Sequence, residues 1–196
     1  MTTPTSDLAS ATYRLAVIVG SNREGRFGPN IAKWFVTQTE ARADVEIDLL
    51  DIGEIELPVV YGTGGEAMAD FLARIDAADA FVVVTPEYNH SYPAALKQAI
   101  DYGKAQWEAK PVGFVSYGGV SGGLRAVEHL RGVFAELHAV TVRDTVSLHM
   151  YFGMFNEDGD LIEPEPVNAA AKTMLDSLNW WALALKRARA ERPYRQ

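Results

Sequence analysis

Short apolar runs alternate along the chain with longer stretches in which apolar residues recur at helical spacing. Residues 13–20 form a nearly continuous apolar run that ends at Gly20, a pattern typical of a strand buried on both faces. Similar runs predict further strands at 45–50, 80–85, 111–116 and 139–142. Helical spacing predicts helices from residue 29 onward and over 66–78, 91–103, 122–137 and 167–189. Asn89 or Ser91 is expected to cap the third of these helices.

This alternation of five strands and five helices predicts one fold class. Short connections favour right-handed crossovers and a parallel sheet covered by helices on both faces, which is a three-layer, doubly wound α/β fold. At 196 residues, a five-stranded sheet in the order 2-1-3-4-5 fits better than a six-stranded dinucleotide-binding fold. We expect a single domain over 13–190, a disordered N-terminal tail over 1–12 and a C-terminal tail over 191–196.

Composition excludes several classes of protein. The chain has no cysteine, which removes thiolate zinc sites, iron–sulfur clusters, disulfides and cysteine nucleophiles. Its net charge of −8 opposes binding to nucleic acid or to an anionic membrane. No apolar run reaches the ~18 residues of a membrane span, and the N-terminus lacks the pattern of a secretory signal. We therefore expect a cytoplasmic protein with no nucleic-acid and no membrane partner.

Three unusual loops follow strands that are neighbours in the predicted sheet. They cover residues 20–26, 86–91 and 116–123. In an open parallel sheet, ligands bind beyond the carboxyl ends of the strands, where the strand order reverses. For the order 2-1-3-4-5 this point lies between the first and third strands. The topology therefore brings all three loops to one edge and predicts the ligand site there.

The first loop has the features of a phosphate site. It leads into a helix N-terminus, where free N–H groups favour an anion, and Ser21, Arg23 and Arg26 add a hydroxyl group and positive charge. The loop lacks the Lys-Ser/Thr pair of nucleoside-triphosphate loops, and Asn22 stands where a dinucleotide loop has its second glycine. One phosphate is therefore expected rather than two. A capping turn with solvated arginines is the alternative.

The second and third loops suit a planar heterocycle. The second offers the flat aromatic ring of Tyr88, the amide of Asn89 and backbone groups with hydrogen-bonding edges. The third has four glycines between 118 and 123, so its main chain can approach a ring closely. Taken alone, the second loop could hold capping residues and the third could be a surface turn.

The three loops also carry motifs that allow a comparison with known families. These are Gly20-Ser21-x-Arg23-x-Gly25-Arg26, then Pro86-Glu87-Tyr88-Asn89-x-Ser91-x-Pro93, and Ser116-Tyr117-Gly118-Gly119-x-Ser121-Gly122-Gly123. Over roughly residues 14–159 the chain resembles the NADPH-dependent FMN reductase family. That resemblance implies a flavodoxin-like fold that binds FMN non-covalently.

The resemblance also implies roles for individual residues. The FMN phosphate would be held by Ser21, Arg23 and Arg26. The ribityl chain and isoalloxazine would meet Pro86, Glu87, Tyr88 and Asn89. The ring would also meet Ser116, Tyr117 and Gly118. Because hydride transfer between a nicotinamide and a flavin is cofactor chemistry, no catalytic side chain and no metal ligand is expected, and His90 is left out of the site.

The function implied is that of an NAD(P)H-dependent FMN oxidoreductase. It would pass hydride from NADPH or NADH through bound FMN to a flavin, a quinone or a similar small acceptor. A flavodoxin-like electron carrier without turnover of its own is the alternative, and the sequence separates the two poorly. A third hypothesis, an NAD-dependent dehydrogenase with Asp48 or Asp51 on the ribose, is weakened by the missing second glycine and the lack of room for a substrate domain.

Two further segments bear on the protein surface. Residues 148–155 are more apolar than a surface loop should be, which indicates a covered extension of the sheet or a subunit contact. Because dimers and tetramers are common in the family it resembles, we interpret the segment as the interface of a homodimer or homotetramer. The basic residues near the C-terminus are interpreted as a solvated helix end rather than a polyanion site. They are Lys186, Arg187, Arg189, Arg192 and Arg195.

Overall fold

Five strands and five α-helices alternate along the chain in a computed structural model that describes residues 12–58, 60 and 64–195. The strands are β1 (Tyr13–Val19), β2 (Val45–Asp51), β3 (Ala80–Pro86), β4 (Pro111–Gly118) and β5 (Val140–His149). The helices are α1 (Gly28–Thr37), α2 (Glu66–Ala77), α3 (Ala94–Tyr102), α4 (Leu124–Glu136) and α5 (Pro164–Glu191). The predicted N-terminal tail falls, except for Thr12, outside the described residues and stays a prediction.

The strands form one parallel sheet in the order β2-β1-β3-β4-β5. β1 lies between β2 and β3, with Leu15 opposite Ile47 on one side and Ala80 on the other. The chain therefore reverses its direction of travel across the sheet between β1 and β3. The predicted strand order and the doubly wound class are confirmed.

The core consists of two apolar layers, one on each face of the sheet. Leu15 and Val17 of β1 pack in the layer that contains α1 and α5, whereas Ala16 and Ile18 pack in the layer that contains α2, α3 and α4. Because successive side chains of a strand point to opposite faces, a strand covered on both sides needs apolar residues on both of its faces. This explains the continuous apolar run from which β1 was predicted.

Helix α3 begins later than the sequence predicted. Its N-cap is Pro93, and neither Asn89 nor Ser91 caps it, so the predicted capping is wrong. A proline disfavours the helical conformation in the residue before it, which keeps Tyr92 out of the helix. Tyr88 and Ser91 instead exchange backbone hydrogen bonds around a two-residue turn of Asn89 and His90, both of which have positive φ.

Strand β5 is longer than the predicted segment 139–142 and continues to His149. It pairs only with β4 and forms an edge of the sheet, so polar residues such as Arg143 and Asp144 interrupt its apolar pattern. The apolar segment 148–155 begins as the end of this strand. It continues into a 3₁₀ turn at Tyr151–Gly153.

The basic residues near the C-terminus are more than a solvated helix end. Lys186 and Arg189 both form salt bridges with Asp79, and Arg195 forms one with Glu108. These pairs attach α5 and the residues after it to the opposite end of the sheet from the predicted site.

No helix in the described part of the chain combines the length and the apolar character needed to cross a membrane.

Candidate functional site

A cleft of about 310 Å³ lies beyond the carboxyl ends of β1, β3 and β4, in the size range of small-molecule sites. The predicted site residues that line it are Arg23, Arg26, Pro86, Glu87, Tyr88, Tyr117 and Gly118. The other lining residues are Glu24, Gly25, Phe27, Gly119 and Tyr151. Ser21, Asn89 and Ser116 do not line it. The structure thus brings the three loops together at the reversal point.

The first loop presents donors to one end of the cleft. Arg23 is exposed, its guanidinium lies 5.9 Å from the centre of the Tyr88 ring, and it pairs with no carboxylate of the described residues. The N–H groups of Glu24 and Gly25 also find no acceptor among the residues that the structure covers. Gly25 has a φ of +67° and open space where a Cβ would be. Free N–H groups before a helix and an unpaired arginine suit an anion.

Arg26 differs from Arg23 because its charge is already balanced. Its Nη1 atom donates to both carboxylate oxygens of Asp51, at 2.5 and 2.7 Å, and the two side chains are only 15% and 12% exposed. Asp51 ends β2, so this pair attaches the first loop to the neighbouring strand. Arg26 borders the cleft, but its guanidinium is held from the side by Asp51.

Ser21 lies beneath the first loop rather than on its surface. It is fully buried, and its Oγ atom shares a hydrogen bond of 2.7 Å with the hydroxyl of Tyr88. The backbone N–H of Arg23 also donates to this oxygen, at 3.4 Å. Ser21 therefore joins the first loop to the second.

The second loop is fixed from two sides. The N–H of Glu87 donates to the carbonyl of Tyr117, which continues the pairing of β3 with β4. The Glu87 carboxylate is 8% exposed and accepts a hydrogen bond from the backbone N–H of Arg125, in the first turn of α4. A carboxylate at this position is stabilised by the helix dipole. Arg125 also donates to Nδ1 of His90, so the proton of a neutral His90 ring lies on Nε2.

The third loop is held by short contacts that only glycine permits. Ser116 is fully buried, and its Oγ donates to the carbonyl of Gly122 at 2.8 Å, so it supports the loop from below. Gly123 has a φ of +85°, and a Cβ there would lie 2.6 Å from that of Ser116. Gly119, by contrast, faces open space.

Two aromatic residues of the cleft were missed by the sequence reasoning. They are Phe27 and Tyr151. The ring of Tyr151 packs edge-on against that of Tyr117, with centres 5.1 Å apart, and its centre lies 5.3 Å from that of the Phe27 ring. Tyr151 lies in the apolar segment 148–155, and that apolar character was the available signal. Part of the segment thus forms a wall of the cleft, and its expected role as a subunit interface stays a prediction.

The carboxylates that a dehydrogenase would use on a ribose are already engaged. Asp48 forms salt bridges with Arg14 and Arg74, and Asp51 forms one with Arg26. Neither is free in the described structure to receive a ribose. This geometry weakens the dehydrogenase hypothesis further.

The family model for NADPH-dependent FMN reductases matches residues 13–153, which is most of the chain. The chain belongs to this family. The match begins with β1 and ends after the 3₁₀ turn that carries Tyr151, so all three loops of the cleft lie within it. The predicted family and the predicted oxidoreductase class are confirmed.

Two of the curated relatives are similar to this family member over nearly their whole length, and a third over about two thirds of it. A probable NADPH:quinone oxidoreductase of Oryza sativa is 32% identical over 184 residues, which cover 88% of this chain and 90% of the relative. A 2-hydroxy-1,4-benzoquinone reductase of Burkholderia is 31% identical over 86% of this chain and 95% of its own. An NAD(P)H-dependent FMN reductase of Schizosaccharomyces pombe is 40% identical over 63% of this chain and 66% of its own.

Solved structures agree on the fold. The flavoenzyme NAD(P)H:(acceptor) oxidoreductase of Paracoccus denitrificans is similar to this chain with a TM-score of 0.73 and 25% identity, covering 88% of this chain and 98% of that one. An NADH:FMN oxidoreductase in its apo form has a TM-score of 0.68 at 18% identity, with 88% of this chain and 90% of that one covered, and supports the fold alone. The predicted flavodoxin-like fold is thereby confirmed.

Proposed function

We propose that this protein is an NAD(P)H-dependent FMN oxidoreductase that passes reducing equivalents to a quinone or a similar small acceptor. The observation that carries the proposal is the convergence of three loops on one cleft with two chemically different ends. The first loop supplies one end with an unpaired arginine and free N–H groups, the ring of Tyr88 lies beside that arginine, and the third loop exposes glycine main chain. FMN has a phosphate at one end and a planar ring at the other.

The phosphate end fits a single phosphate group. Arg23 and the N–H groups of Glu24 and Gly25 supply a charge and donors that no described residue uses. Arg26 and Ser21 support this end from outside and below through Asp51 and Tyr88. We therefore assign direct contact to Arg23 and a positioning role to Ser21 and Arg26.

The ring end fits a planar heterocycle. Pro86, Glu87 and Tyr88 form one wall, and Gly118 and Gly119 expose main chain on another. Ser116 supports the glycine loop, and Asn89 lies in the exposed turn beside the wall. In this proposal these two residues hold the shape of the site rather than line it.

FMN, when bound, supplies a ring that accepts a hydride from a reduced nicotinamide and passes reducing equivalents on to an acceptor. The chain's own task is to bind and orient, because no side chain in the cleft is needed as an acid or base for that transfer. The exposed residues Val120, Met150 and Phe152 directly adjoin cleft-lining residues in the sequence. Exposed apolar side chains so near the cleft in the sequence support an apolar acceptor.

The named quinone reductases among the relatives support a quinone as the acceptor. The same exposed apolar residues support the expected homodimer or homotetramer, since exposed apolar patches frequently mark protein contacts. The expected cytoplasmic location stays a prediction.

An anaerobic reduction experiment tests the proposal. FMN-loaded protein mixed with NADPH or NADH should lose its flavin absorbance within minutes and recover it when a quinone is added. Steady-state rates against both substrates should give parallel double-reciprocal lines, because nicotinamide and acceptor would use the same ring face in turn. An electron carrier without turnover would bind FMN and yet leave it oxidised with both nicotinamides, and that result would overturn the proposal.

A further inference from the structure

Tyr117 carries a buried hydroxyl group with no partner. Tyr117 is 2% exposed, and its hydroxyl forms no hydrogen bond with any described residue. Buried hydroxyl groups are almost always hydrogen-bonded, so an orphaned one calls for a ligand or a water molecule. The side chain lines the candidate cleft, which makes a ligand the natural partner.

The hydroxyl lies beside the start of α1, shortly after the loop that carries Arg23. A Cβ atom built on Gly28, the first residue of α1, would be 3.0 Å from the Tyr117 oxygen. The hydroxyl is therefore packed against the first turn of that ten-residue helix. Pro29 follows and has no N–H, so the first turn of the helix has fewer backbone donors for an anion than usual.

The surroundings keep this hydroxyl in place and protonated. The ring of Tyr151, in the 3₁₀ turn, packs edge-on against the ring of Tyr117 with centres 5.1 Å apart, which restricts the Tyr117 side chain. Burial raises the pKa of Tyr117, so its hydroxyl remains a donor at neutral pH. The neighbouring Arg26 and Asp51 neutralise each other. A neutral donor can bind an anion without the cost of burying a charge of its own.

We propose that the Tyr117 hydroxyl donates a hydrogen bond to the phosphate of bound FMN and helps the site select FMN over riboflavin. The resemblance to the family implies only a ring contact for this residue. The inference rests on the proposed function, since it assumes that FMN occupies the cleft. It makes Tyr117 a specificity residue for the phosphate through its hydroxyl, while its side chain forms part of the cleft wall.

The chain contains a matched control for this hydroxyl. Tyr13 is 1% exposed, and its hydroxyl likewise has no partner among the described residues. It begins β1, at the opposite end of the sheet from the cleft. Replacing either tyrosine with phenylalanine removes an orphaned hydroxyl and keeps the buried ring. Neither variant should therefore unfold more easily than the wild type in the absence of FMN.

Binding titrations with FMN and riboflavin test the proposal. Tyr117→Phe should weaken FMN binding about 10-fold or more and change riboflavin binding less than about 2-fold, because riboflavin has no phosphate. Tyr13→Phe should leave both affinities unchanged. In a second readout, the ³¹P resonance of bound FMN should shift in Tyr117→Phe and not in Tyr13→Phe.

The possible failures are distinguishable. If the wild-type protein binds neither ligand, the proposed function fails. If it binds FMN but Tyr117→Phe keeps the wild-type ratio of FMN to riboflavin affinity and the wild-type ³¹P resonance, only this inference is overturned. The partner of the hydroxyl would then be a water molecule.

Discussion

Ser21 and Tyr88 lie 67 positions apart in the sequence, and their hydroxyl groups share a hydrogen bond of 2.7 Å. Ser21 follows β1 and Tyr88 follows β3, so this bond crosses the point where the strand order reverses. It joins the loop that presents Arg23 to the loop that forms the aromatic wall. The bond thereby fixes the positions of these two loops relative to each other.

Breaking this bond should loosen the cleft. We expect Ser21→Ala and Tyr88→Phe each to weaken FMN binding about fivefold, the equivalent of one ordinary hydrogen bond of about 1 kcal/mol. Because both changes remove the same interaction, the double variant should bind about as weakly as the weaker single variant. Fluorescence titration of the four proteins gives the coupling energy directly.

The control for Tyr88→Phe is Tyr194→Phe. The Tyr194 hydroxyl contacts Nδ1 of His138 at 3.1 Å, on residues that do not line the cleft, so its loss should not change FMN binding. Additive effects of Ser21→Ala and Tyr88→Phe would show that the bond between them does not position the loops.

Alanine substitutions at three glycines of the cleft loops allow the cost of backbone strain to be measured separately from the cost of a steric clash. Gly123→Ala should lower the free energy of unfolding by more than about 2 kcal/mol, because a φ of +85° and a Cβ 2.9 Å from the Tyr117 nitrogen both oppose it. Gly25→Ala has the unfavourable φ of +67° but open space, and should cost only about 1 kcal/mol. Gly119→Ala has neither obstacle and should be nearly neutral. Urea denaturation measures this series, and equal costs at the three positions would contradict the account.

Lys110 should make stability depend on pH in the alkaline range. Its side chain is 5% exposed and donates to the carbonyls of Ile75 and Asp76 at the end of α2. Burial lowers the pKa of Lys110 from 10.5 to about 8, with Arg189 adding to the effect. Between these two values the unfolded chain binds more protons than the folded one, so the free energy of unfolding should rise with pH. We expect a rise of about 1–3 kcal/mol in total.

Denaturation of Lys110→Met at pH 7 to 9.5 should give a flatter profile than the wild type. The upper limit lies below the ordinary pKa of tyrosine, where the raised pKa values of Tyr13 and Tyr117 would begin to lower stability. Lys104→Met removes an exposed lysine and should keep the wild-type slope. Parallel profiles for the wild type and Lys110→Met would show that the Lys110 ammonium is not destabilised by burial.

Local patterns predicted most of the fold, whereas contacts between distant segments escaped them. The apolar run at 13–20 was sufficient to place β1 because both faces of that strand are covered. The predicted segment for β5 was too short because Arg143 and Asp144, which an edge strand tolerates, interrupt the apolar pattern. The position of Tyr151 in the cleft depends on that longer strand and could not be obtained without it.

The candidate site was likewise predicted only in part, because some of its contacts join distant segments. Topology alone brought Arg23 and Tyr88 to one cleft. The sequence did not reveal that Arg26 is held by Asp51, because an ion pair between two loops has no local signature. The resemblance assigns both arginines to the phosphate, and their surroundings in the structure separate them.

This separation yields a final prediction. Arg23→Ala should weaken FMN binding about 10- to 100-fold and leave riboflavin binding unchanged, because a charge-assisted hydrogen bond to phosphate contributes roughly 1.5–3 kcal/mol. Its stability should match the wild type, since the side chain is exposed and pairs with no described carboxylate. Parallel titrations with the two ligands measure the effect.

Arg26→Ala should behave in the opposite way and serves as the comparison. It leaves the Asp51 carboxylate, only 12% exposed, without its cation, so the free energy of unfolding should fall by about 1–3 kcal/mol. Any loss of affinity should come from a displaced loop and affect FMN and riboflavin alike. If Arg26→Ala instead reduced only FMN binding at unchanged stability, its guanidinium would be a direct phosphate ligand and the positioning role assigned to it would be wrong.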